Sequence, residues 1–315
     1  MTTLPGTDPG VQAPGLVATT AAAPVEAVET APAPKKRLGV GTWLAAGWLI
    51  LLVGASVLAG VLPLADPNAA VTNTPLLAPG QGGLLLGADA NGRDMLARTI
   101  YGARTSLIIA LGAIGIAFVV GGLLGLLAGY FRNWIGNTLA SLFDILLAIP
   151  ALLLILALVA VLKGDPSTDQ RLPGELIVII AIAIPSTPLV ARITRGQTLA
   201  WSQREFVMAA RAQGASTGRI LFREILPNVL PAMGYIALLG IGLAIVAEGA
   251  AALFGASVNP PKSTLGVMID SGRNDMADAP FVMFTPIVII FLTVMALNFL
   301  GDVVRDRFDV RESAL

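Results

Sequence analysis

Residues 104–130 read RTSLIIALGAIGIAFVVGGLLGLLAGY, and no charged side chain follows Arg104 in this run. A helix needs about 20 apolar residues to cross the hydrocarbon core of a bilayer, which is about 30 Å thick. The run is continuously apolar, whereas the strands of a membrane barrel alternate between apolar and polar residues. The sequence therefore predicts an α-helix here that spans a membrane.

The composition of the whole chain agrees with this prediction. Hydrophobic residues make up 55% of the 315 residues, charged residues make up 13%, and the mean hydropathy is +0.80. Soluble domains carry about 25% charged residues, so this chain has too few ionised groups to cover a surface in water. We therefore expect an all-α integral membrane protein.

Residue counts also exclude several kinds of chemistry. The chain has no Cys and no His, which removes disulfides, thiolate nucleophiles and the commonest ligands of transition metals. No Lys follows a Gly, so the phosphate-binding loop G-x-x-x-x-G-K-[ST] does not occur. The 20 basic and 20 acidic residues cancel, which argues against binding to nucleic acid. The chain therefore lacks the residues for thiol or imidazole chemistry, for a Cys- or His-ligated metal and for ATP binding through that loop.

Apolar stretches divide the chain into six predicted spans. The first follows Lys35-Lys36-Arg37 and is longer than the apolar region of a signal peptide, about 7–15 residues, so we predict a retained helix. The six spans are residues 38–64, 104–130, 137–162, 175–193, 229–254 and 281–301. Between and beyond them the sequence predicts a disordered cytoplasmic tail at 1–37, an extracytoplasmic loop with an interfacial helix at 65–103, a five-helix core at 104–304 that contains a loop at 194–228, and a cytoplasmic tail at 305–315.

The distribution of Lys and Arg predicts the orientation of these spans. With six helices, both termini lie on one side of the membrane. Thirteen of the 20 basic residues fall in segments on that side and seven on the other. Because basic residues favour cytoplasmic loops, we expect both termini in the cytoplasm.

The loop at 194–228 has the pattern of two short helices. Ser202 and Glu205 fit the S-x-x-E capping box, which predicts a helix over residues 203–213, and Gly214 supplies a left-handed stop. Ser216 can cap a second helix that Pro227 stops or kinks. The first helix has one face with a small centre, formed at i, i+3, i+4 and i+7 by Phe206, Ala209, Ala210 and Gln213. Such a face suits insertion into a groove on a soluble partner, and the alternative is a helix that lies flat on the bilayer.

The order of residues in this loop favours the first alternative, in which the helix inserts into a groove on a soluble partner. Residues 205–216 read EFVMAARAQGAS and are followed by Ile-Leu-Pro-Asn at 225–228. This resembles the EAA loop of ABC-importer permeases, in which the loop is the coupling helix that docks into the ATPase subunit. Met208 occupies the place of the signature's own Glu, and Glu205 lies one turn earlier. The resemblance implies that the ATPase-coupling residues are Glu205, Phe206, Met208, Ala209, Ala210, Arg211, Gly214 and Ala215.

Further segments narrow the resemblance to the second, C-type permease subunit of dipeptide and oligopeptide importers. They occur in the same order and are LGADANGRD at 86–94, Asp144 with Ile149-Pro150, Arg192 with RGQ at 195–197, Pro260-Pro261 with Leu265-Gly266, and NFLGD at 298–302. The resemblance implies a type I ABC-importer fold with six spans, no enzymatic activity, and no catalytic residue, cofactor or metal in this chain. It also implies a homologous second permease, two ATPase subunits that hold ATP and Mg²⁺, an extracytoplasmic solute-binding protein, and a place in a bacterial cytoplasmic membrane.

Two acidic residues fall inside predicted spans. An ionised side chain at the centre of a bilayer costs about 2.5–3.5 kcal/mol on insertion scales, so Asp144 and Glu248 are expected to face a bundle interior or an aqueous path. One interpretation places both beside the translocation path, where Glu248 could meet a peptide amine. The alternative is that they form hydrogen bonds between helices and fix the packing.

Two other groups of residues have defined spacing. Asp89, Arg93 and Asp94 form a mixed-charge cluster in the outer loop, which either contacts a binding protein or caps a helix. The glycines at 121, 125 and 129 recur at four-residue spacing and predict a close contact between two helices.

Two other functions have to be weighed against the importer. An ion-coupled secondary transporter would need ligands for the coupling ion near the midplane, and Asp144 and Glu248 are the candidates. A membrane scaffold that binds a partner through the loop at 194–228 would not explain why so many importer-permease segments occur in order. We therefore predict a permease subunit of an ATP-driven importer for peptides or related small solutes.

Overall fold

A computed structural model describes residues 39–164 and 172–312, with side chains to Asp306. The predicted tail at 1–37 lies outside these residues. The described chain is helical, and its extended pairing is limited to the two isolated bridges Ala70 to Arg93 and Ala88 to Asp94. The helices are α1 (Val40–Leu58), α2 (Met95–Tyr130), α3 (Trp134–Ala148), α4 (Ala151–Lys163), α5 (Gly174–Trp201), α6 (Glu205–Ala212), α7 (Thr217–Arg219), α8 (Leu226–Ala252), α9 (Leu265–Gly272) and α10 (Pro280–Glu312).

Five of the described helices are long and apolar enough to cross a membrane, and α3 with α4 provides a sixth, broken span. The two helices of this pair meet at an angle of 89°. The break falls at Ile149, which is extended, and Pro150, which precedes α4. A proline lacks the backbone N–H and disfavours the helical conformation of the residue before it. The expected all-α membrane fold is confirmed, but the predicted span at 137–162 is bent in its middle.

Several helix ends differ from those expected. α2 begins at Met95 because Asp94 Oδ1 accepts a hydrogen bond from Leu96 N at 2.9 Å, so the expected interfacial helix within 65–103 is the first part of this span. α5 runs on to Trp201, past the expected end at 193, and α10 continues to Glu312, into the expected tail at 305–315.

The start of α8 also differs. Pro227 was expected to stop or kink the second helix of the loop, yet the helix continues from α7 through a π turn at Ile220–Ile225 into α8. In a regular α-helix a proline ring clashes with the carbonyl four residues earlier. The wider π turn immediately before Pro227 relieves this clash, so Thr217–Ala252 form one long span.

The contact between α2 and α5 holds the core together, and glycines make it possible. A Cβ atom added to Gly121 would lie 2.5 Å from Thr187 O, and one added to Gly129 would lie 2.6 Å from Thr198 Cβ. Gly125, between them, would meet Thr194 Cβ at 2.6 Å. The close helix contact predicted from the glycine spacing is confirmed.

Gly125→Val is expected to lower the stability of the protein by about 1–3 kcal/mol, because the added atoms force the α2 and α5 backbones apart. The thermal midpoint in mild detergent measures this effect. Gly115→Val is the matched control, since Gly115 lies on the same helix and nothing is within 4 Å of an added Cβ there. Equal midpoints for the two variants would contradict the role of the glycine face.

Candidate functional site

α6 packs against the membrane helices through the face that contains Val207 and Ala210. Val207 is fully buried and belongs to an apolar cluster with Trp201 of α5, Ile225 of the π turn and Val229 of α8. Ala210, one turn later, packs against the same cluster. Val207 is not among the predicted coupling residues, although its i, i+3 spacing with Ala210 is the pattern of a buried face. A displacement of α6 therefore acts directly on α5 and α8.

The start of α6 differs from the predicted capping box. Ser202 belongs to the end of α5, where its Oγ donates a hydrogen bond to Leu199 O at 3.0 Å. A serine hydroxyl often bonds to a carbonyl of the preceding turn in this way, and it then leaves the next helix uncapped. The first residue before α6 is Arg204, which makes no capping bond with its side chain, and the helix begins at Glu205. The predicted capping box is therefore wrong.

The end of α6 agrees with the sequence. Gly214 has a φ of +79°, which favours glycine. Gly214 N donates to Arg211 O at 3.0 Å, and Ala215 N donates to Ala210 O at 3.0 Å. These two bonds satisfy carbonyls that the last helical turn would leave without partners. Ser216 caps the next turn through Arg219 N at 3.4 Å, so the predicted stop and the second cap are both confirmed.

The opposite face of α6 is exposed. Phe206 is 39% exposed, Met208 is 53% exposed, and Ala209 is also exposed. Ala210, which belongs to the predicted small face, is half-buried and packs against the cluster that contains Val207. The surface of α6 away from the membrane helices therefore presents apolar groups on a helix that is anchored by Val207 and capped at its C-terminal end, as a docking surface for another protein would.

Two arginines at the edges of this surface contact aromatic rings of the membrane helices. The guanidinium group of Arg211 lies 5.6 Å from the ring centre of Tyr130, at the end of α2, and its Nη2 is 3.4 Å from Tyr130 Oη. Arg204 lies over the ring of Trp201 at 5.3 Å. Such cation–π contacts orient the two side chains beside the exposed apolar groups. The predicted coupling residues Glu205, Met208, Arg211 and Gly214 are all exposed, and Ala215 is half-buried.

Glu248 lies at the other end of α8 and is fully buried. Ser257 Oγ and Thr264 Oγ1 donate hydrogen bonds to its Oε1 at 2.5 and 2.6 Å, and Ser106 Oγ of α2 donates to its Oε2 at 3.4 Å. Ser106 Oγ also accepts a bond from Leu265 N at 3.1 Å, at the start of α9. Asp144, by contrast, is exposed on α3. The structure does not bring these two acidic residues together, and a place beside the translocation path stays a prediction for both.

The predicted charge cluster near α2 is an internal network. Asp89 accepts hydrogen bonds from Asn91 N and Arg93 N through Oδ1 and from Arg93 Nε through Oδ2, at 2.9, 3.0 and 2.7 Å. Arg98, which is 3% exposed, lies 3.3 Å from Asp89 Oδ2 and donates to Pro67 O. Asp94 caps α2. These bonds favour the structural interpretation of the cluster, and a contact with a binding protein stays a prediction.

Within the described part of the chain, no three acidic side chains come together in a way that could hold a metal ion. That the chain carries no cofactor stays a prediction.

Comparison with known proteins shows which family shares this architecture. Residues 121–313 match the family model described as binding-protein-dependent transport system inner membrane component. The chain belongs to this family. It is a membrane-embedded permease subunit of an ABC importer rather than an enzyme, as the resemblance predicted, and an ion-coupled transporter is not supported.

Several relatives of this permease are named as transport proteins. It is 38% identical over 267 residues to the di/tripeptide transport system permease protein DppC of Pseudomonas aeruginosa, covering 83% of this chain and 85% of that protein. It is 39% identical to the dipeptide transport system permease protein DppC of Alkalihalophilus pseudofirmus, with 71% and 70% covered. It is 37% identical to the glutathione transport system permease protein GsiD of Pectobacterium atrosepticum, with 71% of each covered.

Solved structures of the same fold are also similar to the permease. A structure of the MetNI methionine ABC transporter in an inward-facing conformation matches with a TM-score of 0.57 and 22% identity, covering 67% of the permease and 97% of that chain. A second crystal form of the same transporter matches with a TM-score of 0.56. The predicted importer-permease fold is therefore confirmed.

Proposed function

We propose that this permease forms half of the translocation path of an ATP-driven importer for dipeptides, tripeptides or glutathione-like peptides. The observation that carries the proposal is α6, a helix capped at its C-terminal end, with exposed Phe206, Met208 and Ala209 and a buried anchor at Val207. The names of relatives at 37–39% identity support the class of substrate. The partners are a homologous second permease, two ATPase subunits and an extracytoplasmic solute-binding protein.

In this proposal, α6 docks into a groove on an ATPase subunit. The signature's Glu is replaced by Met208, and Glu205 is exposed one turn earlier on α6, where its carboxylate can take the place of the missing one. ATP and Mg²⁺ bind to the ATPases. Closure of the ATPases would move α6, and the apolar cluster around Val207 would pass this movement to α5 and α8. The membrane helices would then alternate between outward and inward openings, a two-state change biased by nucleotide.

The proposed orientation places α6 and both termini in the cytoplasm of a bacterial cell, in accordance with the excess of basic residues on that side. Residues 65–94 and the connection between α8 and α9 then face outward and meet the binding protein. Glu248 and Asp144 remain candidates for residues that act near the path.

The partner set can be tested by purifying the permease from native membranes in mild detergent through a tag at the C-terminus, followed by mass spectrometry. We expect a second permease and ATPase subunits in the same complex. Purification of the chain alone, together with uptake that still depends on it, would contradict the importer.

The substrate class needs a separate measurement. Cells that lack the permease are expected to accumulate a labelled dipeptide at a lower rate than cells that carry it, and unlabelled glutathione or tripeptide in excess is expected to compete. Normal peptide uptake in the deletion strain, with loss of another solute, would contradict a peptide substrate.

A further inference from the structure

Residues 253–264, the connection between α8 and α9, lie far from α6. α8 begins beside the apolar cluster that anchors α6 and contains 27 residues. At about 1.5 Å per residue, it separates its two ends by about 40 Å. The connecting segment is therefore at the end of the permease opposite the coupling surface, where a solute that is imported has to enter.

Lys163 holds this segment from another helix. It is the last residue of α4, and its Nζ donates hydrogen bonds to Ser257 O at 2.6 Å, Asn259 Oδ1 at 3.1 Å and Gly255 O at 3.5 Å. A Lys ammonium has three N–H donors, so these acceptors use all of them. One charged group thus fixes the backbone of the segment at its centre.

Glu248 holds the same segment from the inside. Its Oε1 accepts hydrogen bonds from Ser257, in the segment, and from Thr264, at the segment's end. Thr264 Oγ1 also caps α9 by accepting from Val267 N at 3.0 Å. The carboxyl of Glu248 thereby fixes both the segment and the start of α9. It does so through the hydroxyl groups of Ser257 and Thr264.

The segment and α9 also form one end of an apolar groove. The groove has a volume of about 720 Å³ and runs between α8 and α10. Leu253 of the segment and Ile269 of α9 line it, next to Gly249 and Ala250, which follow Glu248 in α8. The two side chains that fix the segment therefore also determine the shape of this end of the groove.

We propose that Glu248 and Lys163 are positioning residues that hold residues 253–264 closed over this end of the resting permease. The inference rests on the proposed importer function. When either side chain loses its hydrogen bonds, the segment is expected to open without the binding protein. The ATPases are then expected to hydrolyse ATP faster than they do in the resting complex.

Thiol labelling measures the opening directly, because the chain has no Cys of its own. Val258→Cys reports on the segment, since Val258 is 6% exposed. Val207→Cys, at a fully buried position under α6, reports on the opposite end. Each is introduced into the full-length permease, purified with its bound subunits in mild detergent and treated with a maleimide.

Lys163→Met and Glu248→Leu are expected to raise the labelling rate at position 258 by about tenfold or more. Lys163→Met removes the charged donor of three hydrogen bonds, and Glu248→Leu leaves the buried hydroxyls of Ser257 and Thr264 without their acceptor, so both losses favour local opening. Labelling at position 207 should not change. Glu248→Gln should stay near wild type, since its amide oxygen can accept from Ser257 and Thr264. Lys262→Met is the matched control, because Lys262 is 62% exposed in its salt bridge with Glu175, and such pairs contribute little.

A rate at position 258 that is unchanged in Lys163→Met would overturn the proposal, and so would an equal rise at positions 258 and 207, which would indicate general loosening. If Glu248→Leu does not reach the membrane, the labelling rate at position 258 in Lys163→Met is sufficient to test the proposal.

The second measurement is ATP hydrolysis by the complete complex without binding protein, which we expect to rise severalfold in Lys163→Met. Faster labelling with unchanged hydrolysis would overturn the closed resting state. If the permease purifies without ATPases, the proposed importer function is contradicted. The labelling rates at position 258 would still show whether Lys163 and Glu248 hold the segment.

Discussion

Ala209→Asp is expected to abolish ATP-driven uptake while the permease still reaches the membrane. Ala209 is exposed on α6, between Phe206 and Gln213 on the face turned away from Val207. If this face docks into an ATPase subunit, the substitution buries an unpaired carboxylate in the interface. Such a change costs about 2–5 kcal/mol, which corresponds to a loss of about thirtyfold or more in affinity. Co-purification of the ATPases and the rate of peptide uptake measure the effect.

The control is the same substitution at the other end of the molecule. Ala277→Asp introduces a carboxylate at an exposed alanine in the connection between α9 and α10. We expect normal uptake and a normal amount of ATPase in this complex. If Ala209→Asp retains the ATPases and full uptake, α6 is not the coupling helix. If both variants are lost from the membrane, the defect lies in folding rather than in docking.

Asp89→Ala is expected to have the largest effect on stability, about 3–5 kcal/mol, because removing one partner of a buried ion pair leaves the other charge without compensation. Asp89 is 6% exposed and Arg98 is 3% exposed, and the carboxylate also accepts two backbone N–H groups. The expected result is a marked fall in the thermal midpoint and in the amount of permease in the membrane.

Arg273→Ala is the matched control for this substitution. Arg273 pairs with Asp270 at 3.9 Å, and the side chains of the two residues are 60% and 37% exposed. An exposed pair contributes about 0–1 kcal/mol, so the midpoint should hardly change. Equal midpoints for Asp89→Ala and Arg273→Ala would show that the Asp89 network does not support the fold. Loss of binding-protein contact at full stability would instead favour the alternative interpretation of this cluster.

Much of the fold could be predicted because it depends on local patterns. Apolar runs of sufficient length gave the spans, and Gly214 and Ser216 gave the boundary between α6 and α7, since a cap and a left-handed residue act on the backbone beside them. The glycine spacing in α2 predicted the contact with α5, because small residues on one face allow close approach whichever helix supplies the other side.

The errors arose where one local pattern competes with another. Ser202 fits a capping box, but its hydroxyl bonds to the preceding helix at Leu199 instead. Pro227 is a helix breaker, but a π turn before it allows the helix to continue. The sequence contained Ile149-Pro150 in the middle of a predicted span, and the 89° bend follows from that proline.

The sequence by itself determined that this chain is a helical membrane protein without thiol or imidazole chemistry, and the order of its segments determined the family. Only the tertiary structure decided which face of α6 is buried and what Glu248 does. The partners of Glu248 are Ser106, Ser257 and Thr264, and the first of these is 142 positions away in the chain. Apolar periodicity acts over a few residues, whereas a buried carboxyl takes its hydrogen bonds from whichever hydroxyls the packing of the helices brings to it.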